Sequence, residues 1–195
     1  LFQNVVLKKH LQSLNNEQTQ QAYQKLTSYF HHPDIQANIR AAKEEQFQEG
    51  FLRELFVNVL GYTINPEAHY NLTTEYKNQK GAKKADGAVL DNHKQVKAVI
   101  ELKGTKVTDL DNIEIQAFGY KNNQSHCRYV ITSNFEKLRF YIDNAIDFME
   151  WNLFTLTEKD FNILYLLLHK NSLLSDLPAT LKASSLVEVE NITKK

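Results

Sequence analysis

The chain has 195 residues, of which 42% are hydrophobic and 24% are charged. This length suits one domain with a substantial core and is short for two. The 23 basic residues balance the 23 acidic ones, so no overall field draws the chain to nucleic acid, and any such contact depends on a local patch. The single cysteine, Cys127, excludes a disulfide framework and a cysteine-rich zinc site.

The apolar segments are all short. The longest run, ILYLLL at residues 163–168, is far too short to cross a bilayer. We expect no signal peptide, no membrane contact and a cytoplasmic protein. The chain begins without methionine and ends in the polar sequence ENITKK. We therefore expect residues 1–195 to form a single domain that is a fragment of a longer chain.

The first third of the chain predicts helices. Residues 5–30 carry apolar side chains at helical spacing without glycine or proline, which is typical of an amphipathic helix. The sequence HHPD interrupts this pattern, and a second helix is predicted to begin near Pro33 and to end at Gly61. We expect this helix to be mostly buried, because its apolar stripe is broad and includes Phe47, Phe51, Leu55, Phe56, Val59 and Leu60.

After Gly61 the pattern becomes that of short strands. Three runs, separated by the turn-rich sequences QKGAK and DNHKQ, predict an antiparallel meander at residues 71–78, 84–91 and 96–104. A helix at 109–123 and two strands within 127–133 and 138–143 follow. This order predicts an α/β fold with a mixed sheet, whose parallel pair spans the 109–123 helix. Residues 146–195 are predicted to form a C-terminal helical packing layer.

Charged residues at two strand ends suggest a site. Alternation along the third strand puts Glu101 and Lys103 on one face and Leu102 on the other. Asp86 lies on the neighbouring strand, within reach of the same edge. Two carboxylates held close together repel unless a cation lies between them, and hard oxygen ligands favour Mg²⁺ or Mn²⁺. Such a metal polarises a phosphoryl oxygen and a lysine stabilises the developing charge, which is the chemistry of phosphodiester hydrolysis.

Simpler readings of the same residues stay open. A chain of this length contains an acidic-x-Lys triplet about once or twice by chance, and a second one occurs at residues 75–77. If the triplet occurs by chance, residues 101–103 are simply a solvated strand end. Gln116 and Tyr120 are four residues apart on the next helix and share one of its faces. They have a function, binding a phosphate or orienting the lysine, or they only form a helix face half buried against the sheet.

Several motifs in order resemble a known nuclease family. The sequences EEQFQEGFLRELFVNVLGY, KKADGAV, VIELKG, QAFGY and YVITSNFEKLRFY resemble the PD-(D/E)XK nuclease superfamily, with the Gln-x-x-x-Tyr motif of RecB-like nucleases. More narrowly, they are similar to the N-terminal endonuclease domain of type IIG restriction-modification enzymes. The resemblance covers about residues 40–145 and implies a restriction-endonuclease-like core, αβββαβ, flanked by helices. One departure is Ala85, which stands where the older form of the motif has proline.

The resemblance implies a metal-dependent DNA endonuclease. Asp86 and Glu101 would bind Mg²⁺ or Mn²⁺, with the backbone carbonyl of Leu102 as a third oxygen ligand. Lys103 would position or activate the attacking water. The family often adds an acidic residue from the preceding helix, for which we choose Glu45 and leave two neighbours unresolved, Glu44 and Glu49.

The resemblance also implies partners. Gln116 and Tyr120 would support the site or contact double-stranded DNA. In a type IIG enzyme the same chain carries methyltransferase and target-recognition domains, and S-adenosylmethionine binds only the methyltransferase part. The resemblance does not decide whether the protein forms a dimer. A basic cluster would contact DNA phosphates or would be a solvated turn; its members are Lys77, Lys80, Lys83, Lys84, Lys103 and Lys106.

Two other functions remain open at this point. The first is a catalytically lapsed DNA-binding or interaction module on the same fold. The second is an unrelated α/β domain with a chance triplet, which predicts that Asp86 and Glu101 are far apart in space.

Overall fold

The N-terminal helices are shorter than the sequence pattern predicts. The computed structural model describes residues 1–77 and 83–194. The prediction of a single helix over residues 5–30 is wrong, because α1 (Asn4–Leu11) and α2 (Asn16–Phe30) are separate helices. Asn15 caps α2 by accepting a hydrogen bond from the Gln18 backbone N–H at 3.0 Å, a cap that ends the preceding turn and starts a new helix.

The second predicted helix is also divided. α3 (Pro33–Ala41) ends before α4 (Glu44–Phe51) begins, and α4 continues into a π-helical segment, Leu52–Val57. Gly61, with φ of +83°, follows this segment, which agrees with its predicted role as the helix stop. The break at residues 42–43 sets the phase of α4 and therefore decides which of its glutamates points toward the sheet.

The described part of the sheet has six strands in sequential order. They are β1 (Leu72–Lys77), β2 (Lys84–Leu90), β3 (Val96–Leu102), β4 (Tyr129–Ser133), β5 (Lys137–Ile142) and β6 (Phe148–Asn152). All neighbours are antiparallel except β3 and β4. The connection between those two contains α5 (Asp111–Asn122), which confirms the predicted mixed sheet and its parallel pair.

The C-terminal part was only partly anticipated. Residues 146–195 were expected to form a helical layer, but they begin with β6, which pairs with β5. The helical part is α6 (Glu158–Leu168), α7 (Lys170–Leu174) and α8 (Leu177–Thr193). No helix within the described residues is both long and apolar enough to span a bilayer.

Helices cover both faces of the sheet. On one face the large core joins Ile100, Leu102 and Ile131 to helical residues such as Phe51 and Leu167. On the other face, α5 is the helix of the described residues that packs on the strands. The smaller cluster there includes Ala85, Ala88, Val99, Ala117, Tyr120 and Val130.

The close approach of the π-helical segment to β2 depends on Gly87. A methyl group at this position would lie 3.3 Å from Leu52 Cδ1 and 3.4 Å from Ile100 Cβ, and both of those residues are fully buried. Gly87 therefore lets the helical layer pack directly over the strand that carries Asp86.

Candidate active site

Asp86 and Glu101 are cross-strand neighbours. β2 and β3 are antiparallel with Gly87 opposite Ile100, and one further step in this register puts Asp86 opposite Glu101. Facing residues on adjacent strands lie close together, and Asp86 also lies near Gln48 and Glu44 of α4, which act on its pKa. An unrelated domain with a chance triplet would leave the two carboxylates far apart, and the fold brings them together instead.

A backbone hydrogen bond orients Asp86. Its Oδ2 accepts from the Leu102 N–H at 2.7 Å. The Leu102 side chain is fully buried in the large core on the opposite face, so the strand is held firmly at this point. The core thus fixes the backbone of the residue whose carbonyl was predicted to be a ligand.

Lys103 lies between two glutamates. Its Nζ is 3.3 Å from Glu101 Oε1 and 3.5 Å from Glu44 Oε1. Glu44 Oε2 also accepts a hydrogen bond from the Gly104 N–H at 3.3 Å. The lysine is therefore held at the end of β3 by a carboxylate from its own strand and by one from a helix.

The acidic residue that α4 contributes is Glu44. Our choice of Glu45 does not match the structure, because Glu45 is exposed and no described hydrogen bond or ion pair joins it to the site. Glu49 is also exposed and pairs with Arg53 at 2.9 Å. The helix begins at Glu44 because the Gln46 side chain accepts the Lys43 N–H at 2.8 Å, and this start turns the first glutamate toward Lys103.

Burial perturbs the titration of both carboxyls. Burial raises the pKa of Glu101 to about 7, the nearby Asp86 charge adds to the rise, and Lys103 opposes it. Burial also raises the pKa of Asp86, against hydrogen bonding from Leu102 and the charge of Lys103. Burial alone would lower the pKa of Lys103, but the surrounding carboxylates outweigh it and raise the pKa. The site is therefore short of positive charge.

A row of polar side chains extends from this pair across the α5 face. One residue comes from each of strands β2 to β6, and we call this set the polar row: Asp86, Glu101, Thr132, Arg139 and Glu150. Arg139 Nε donates to Glu150 Oε2 at 2.6 Å, and Arg139 also pairs with Asp111 at the start of α5. Sequence reasoning missed Thr132, because a threonine in a strand is ordinarily a matter of β propensity.

The Gln116–Tyr120 pair lies on α5 beside the site. Gln116 Nε2 donates to the Tyr120 hydroxyl at 3.0 Å; Gln116 is exposed and Tyr120 is buried. The two residues line a cleft of 420 Å³ together with Lys83. Among the described residues, no hydrogen bond or ion pair joins Gln116 or Tyr120 to Asp86, Glu101 or Lys103.

The predicted basic cluster is only partly described. Lys80 lies outside the described residues, whereas Lys77, Lys83 and Lys106 are exposed. Lys84 is paired with Glu75 at 3.1 Å, which reduces its net contribution to any field. Lys83, beside the α5 cleft, is the best-placed member of the cluster for a contact with a phosphate.

The donor set suits a cation that keeps part of its water shell. Among the described residues, no group of three or more His, Cys, Asp and Glu side chains is arranged to hold a metal ion. The oxygens available to a cation are those of the Asp86 and Glu101 carboxylates. Glu44 contacts Lys103 instead. Glu101 Oε2 is buried without a described hydrogen-bond partner. Mg²⁺ is usually bound by one or two carboxylates, waters and substrate phosphates, so these residues fit it.

An α/β domain with a six-stranded mixed sheet and helices on both faces has a restriction-endonuclease-like architecture. The family model "MmeI, N-terminal domain" matches residues 30–189, and the chain belongs to this family. MmeI is a type IIG restriction enzyme, which confirms the narrower resemblance, to the N-terminal domain of such an enzyme. Neither the curated proteins nor the solved structures gave a match to the chain.

Proposed function

We propose that this chain is the cleavage domain of a restriction-modification enzyme and hydrolyses phosphodiester bonds in double-stranded DNA with Mg²⁺ or Mn²⁺. The observation that carries the proposal is the cross-strand pair Asp86 and Glu101, with Lys103 at the same edge. Carboxylates in such a pair repel at neutral pH, and a divalent cation relieves that repulsion. Family membership supports the same class of enzyme.

The residues divide the chemistry among them. Asp86, Glu101 and the Leu102 carbonyl would hold the cation, which would polarise the phosphate and lower the pKa of water. Lys103, held beside Glu101 and Glu44, would stabilise negative charge on the phosphate or position the attacking water. Glu44 holds the ammonium group of Lys103 in place.

DNA contact is assigned to the α5 side of the site. Lys83 and the exposed amide of Gln116 line one cleft, where a cation and an amide are suited to a phosphate and a base edge. Tyr120 holds Gln116 through its hydroxyl. Methyltransferase and target-recognition domains in the parent chain, with S-adenosylmethionine bound by the methyltransferase, would supply sequence recognition, and dimerisation would allow both strands to be cut.

Plasmid cleavage tests the proposal. The chain and the full-length protein that contains it are incubated with Mg²⁺ or Mn²⁺, and each is compared with its Asp86→Ala and Lys103→Ala variants. We expect both variants to lose cutting while circular dichroism shows an intact fold. Lys9→Ala, an exposed lysine on α1, is the control and should retain cutting.

Two results would contradict the proposal. Cutting that survives both site variants means that the residues are assigned wrongly. Absence of cutting by the full-length protein under all divalent-ion conditions means that the fold serves as a DNA-binding or interaction module whose site has lapsed.

A further inference from the structure

Thr132 has an environment that its β propensity does not explain. It is fully buried in β4, and its hydroxyl has no hydrogen-bond partner among the described residues. Valine has nearly the same shape and buries no polar atom. An unpaired buried hydroxyl costs about 1–3 kcal/mol, so threonine is the less stable choice here unless the hydroxyl has a use.

The neighbours of Thr132 indicate that use. In the parallel register Thr132 lies opposite Glu101, and on its other side it lies opposite Arg139. Adjacent strands are about 4.8 Å apart, so the threonine hydroxyl and the glutamate carboxyl face each other on the α5 side. A carboxylate only accepts hydrogen bonds and a guanidinium only donates them, whereas a hydroxyl does both.

The second unpaired atom is on Glu101 itself. Glu101 Oε1 is occupied by Lys103 at 3.3 Å, whereas Oε2 is buried without a described partner. Two buried, unpaired polar atoms thus belong to side chains that face each other on adjacent strands. Rotation about a single side-chain bond of threonine redirects its hydroxyl.

We infer that Thr132 is a positioning residue of the site, whose hydroxyl donates a hydrogen bond to Glu101 Oε2 and fixes the carboxylate for cation binding. This inference rests on the proposed function for its purpose, but the Thr132–Glu101 contact does not depend on it. Removal of a group that orients a metal ligand typically weakens metal affinity or activity by about 10–100-fold.

A double-mutant cycle tests the contact without metal or activity. Urea unfolding at about pH 8, above the raised pKa of Glu101, compares the wild type with Thr132→Val, Glu101→Leu and the double variant in the presence of a chelator. We expect a coupling of about tenfold in the unfolding equilibrium constant, as for a charge-assisted hydrogen bond. Thr132→Ser should keep most of it.

The matched control is Thr73→Val. Thr73 is also a buried strand threonine, but its hydroxyl accepts from Asn65 at 3.2 Å, so its effect should add to that of Glu101→Leu without coupling. A Thr132–Glu101 coupling below about threefold overturns the inference. A Thr132→Val protein more stable than the wild type does the same, because the hydroxyl is then simply unsatisfied.

Calorimetric titration with Mn²⁺ separates the inference from the proposed function. We expect Thr132→Val to bind Mn²⁺ about tenfold more weakly than the wild type, and Thr132→Ser to recover most of the affinity. Coupling in a protein that binds no Mn²⁺ supports the Thr132 contact and contradicts the proposed metal site. Mn²⁺ binding without coupling contradicts the contact and leaves the proposed function standing.

Discussion

Glu44 and Lys103 are 59 residues apart in the chain and form an ion pair at 3.5 Å. One residue begins a helix on one side of the molecule and the other follows the third strand. Their contact joins α4 to the edge of the sheet where Asp86 and Glu101 lie. The lysine therefore has a fixed position before any DNA arrives.

Glu44→Gln should impair cleavage, whereas Glu45→Gln should not. The first change removes the charge that holds Lys103, and loss of such an orienting group costs about 10–100-fold in activity. The second affects an exposed side chain one position along the same helix. Initial rates of plasmid cleavage by the full-length protein measure both. Equal rates for the two variants would contradict the assignment of Glu44 to the site.

The folded protein should resist ionisation of Glu101. The pKa of this carboxyl is raised from 4.5 to about 7 in the fold, so its stabilising protonated state is fully present below about pH 4.5 and is lost as the pH rises through 7. Glu101→Gln cannot ionise. We therefore expect the variant to gain on the order of 2 kcal/mol over the wild type between these limits, without metal. Urea unfolding across this pH range measures the difference, and a constant difference would contradict the raised pKa.

Mn²⁺ should stabilise the wild type at neutral pH. A ligand that binds only the folded state raises the unfolding temperature, and a concentration of about 100 times Kd adds about 2.7 kcal/mol. Asp86→Ala should lose this rise, whereas Glu190→Ala, an exposed glutamate of α8, should keep it. Thermal unfolding at several Mn²⁺ concentrations checks the expectation. An equal rise in both variants would mean that the cation binds elsewhere.

Two glycines should respond in opposite ways to an added side chain. Gly87→Val brings new atoms against Leu52 and Ile100, and overpacking of this kind costs about 1–3 kcal/mol. Gly119 is in α5 and an added methyl group meets nothing within 4 Å, so Gly119→Ala should stabilise by up to about 1 kcal/mol. Chemical denaturation gives both values. A neutral Gly87→Val would show that the helical layer moves away easily.

Lys83→Ala should reduce the salt dependence of DNA binding. Each phosphate contact contributes about 0.9 to the slope of log affinity against log salt concentration, and the slope should fall by about that amount. Lys9→Ala, an exposed lysine on α1, should leave the slope unchanged. Fluorescence anisotropy with duplex DNA over a range of salt concentrations measures both. An unchanged slope for Lys83→Ala would mean that Lys83 does not contact a DNA phosphate and is a solvated turn residue.

The residues on strands were predictable because strand geometry is simple. A period of two is enough to put Glu101 and Lys103 on one face, and the turn-rich sequence before β3 predicts the antiparallel pairing that brings Asp86 opposite. The helix residue was not predictable in the same way. One residue turns a helix by about 100°, so an error of one position at its start exchanges Glu45 for Glu44.

Two other features lacked a clear sequence signal. β6 has no strict alternation, because Phe148 packs on the α5 face and Trp151 packs on the other, and a strand covered on both faces loses the period of two. Thr132 is ordinary in sequence, and only its burial and its neighbours in the sheet distinguish it. The division of the first predicted helix did have a signal, since Asn15 and Gln18 have the spacing of a helix cap.

The polar row also has a consequence for folding. Hydrophobic alternation repeats every two residues, so a strand that slips by two still has its apolar side chains facing the core. Packing in the core therefore does not disfavour such a slip. Such a slip of β4 would put Val130 opposite Glu101 in place of Thr132. It would also put an apolar side chain beside the guanidinium of Arg139. The polar row matches in the native register and not in the shifted one. It therefore makes the native strand register more stable than the shifted register.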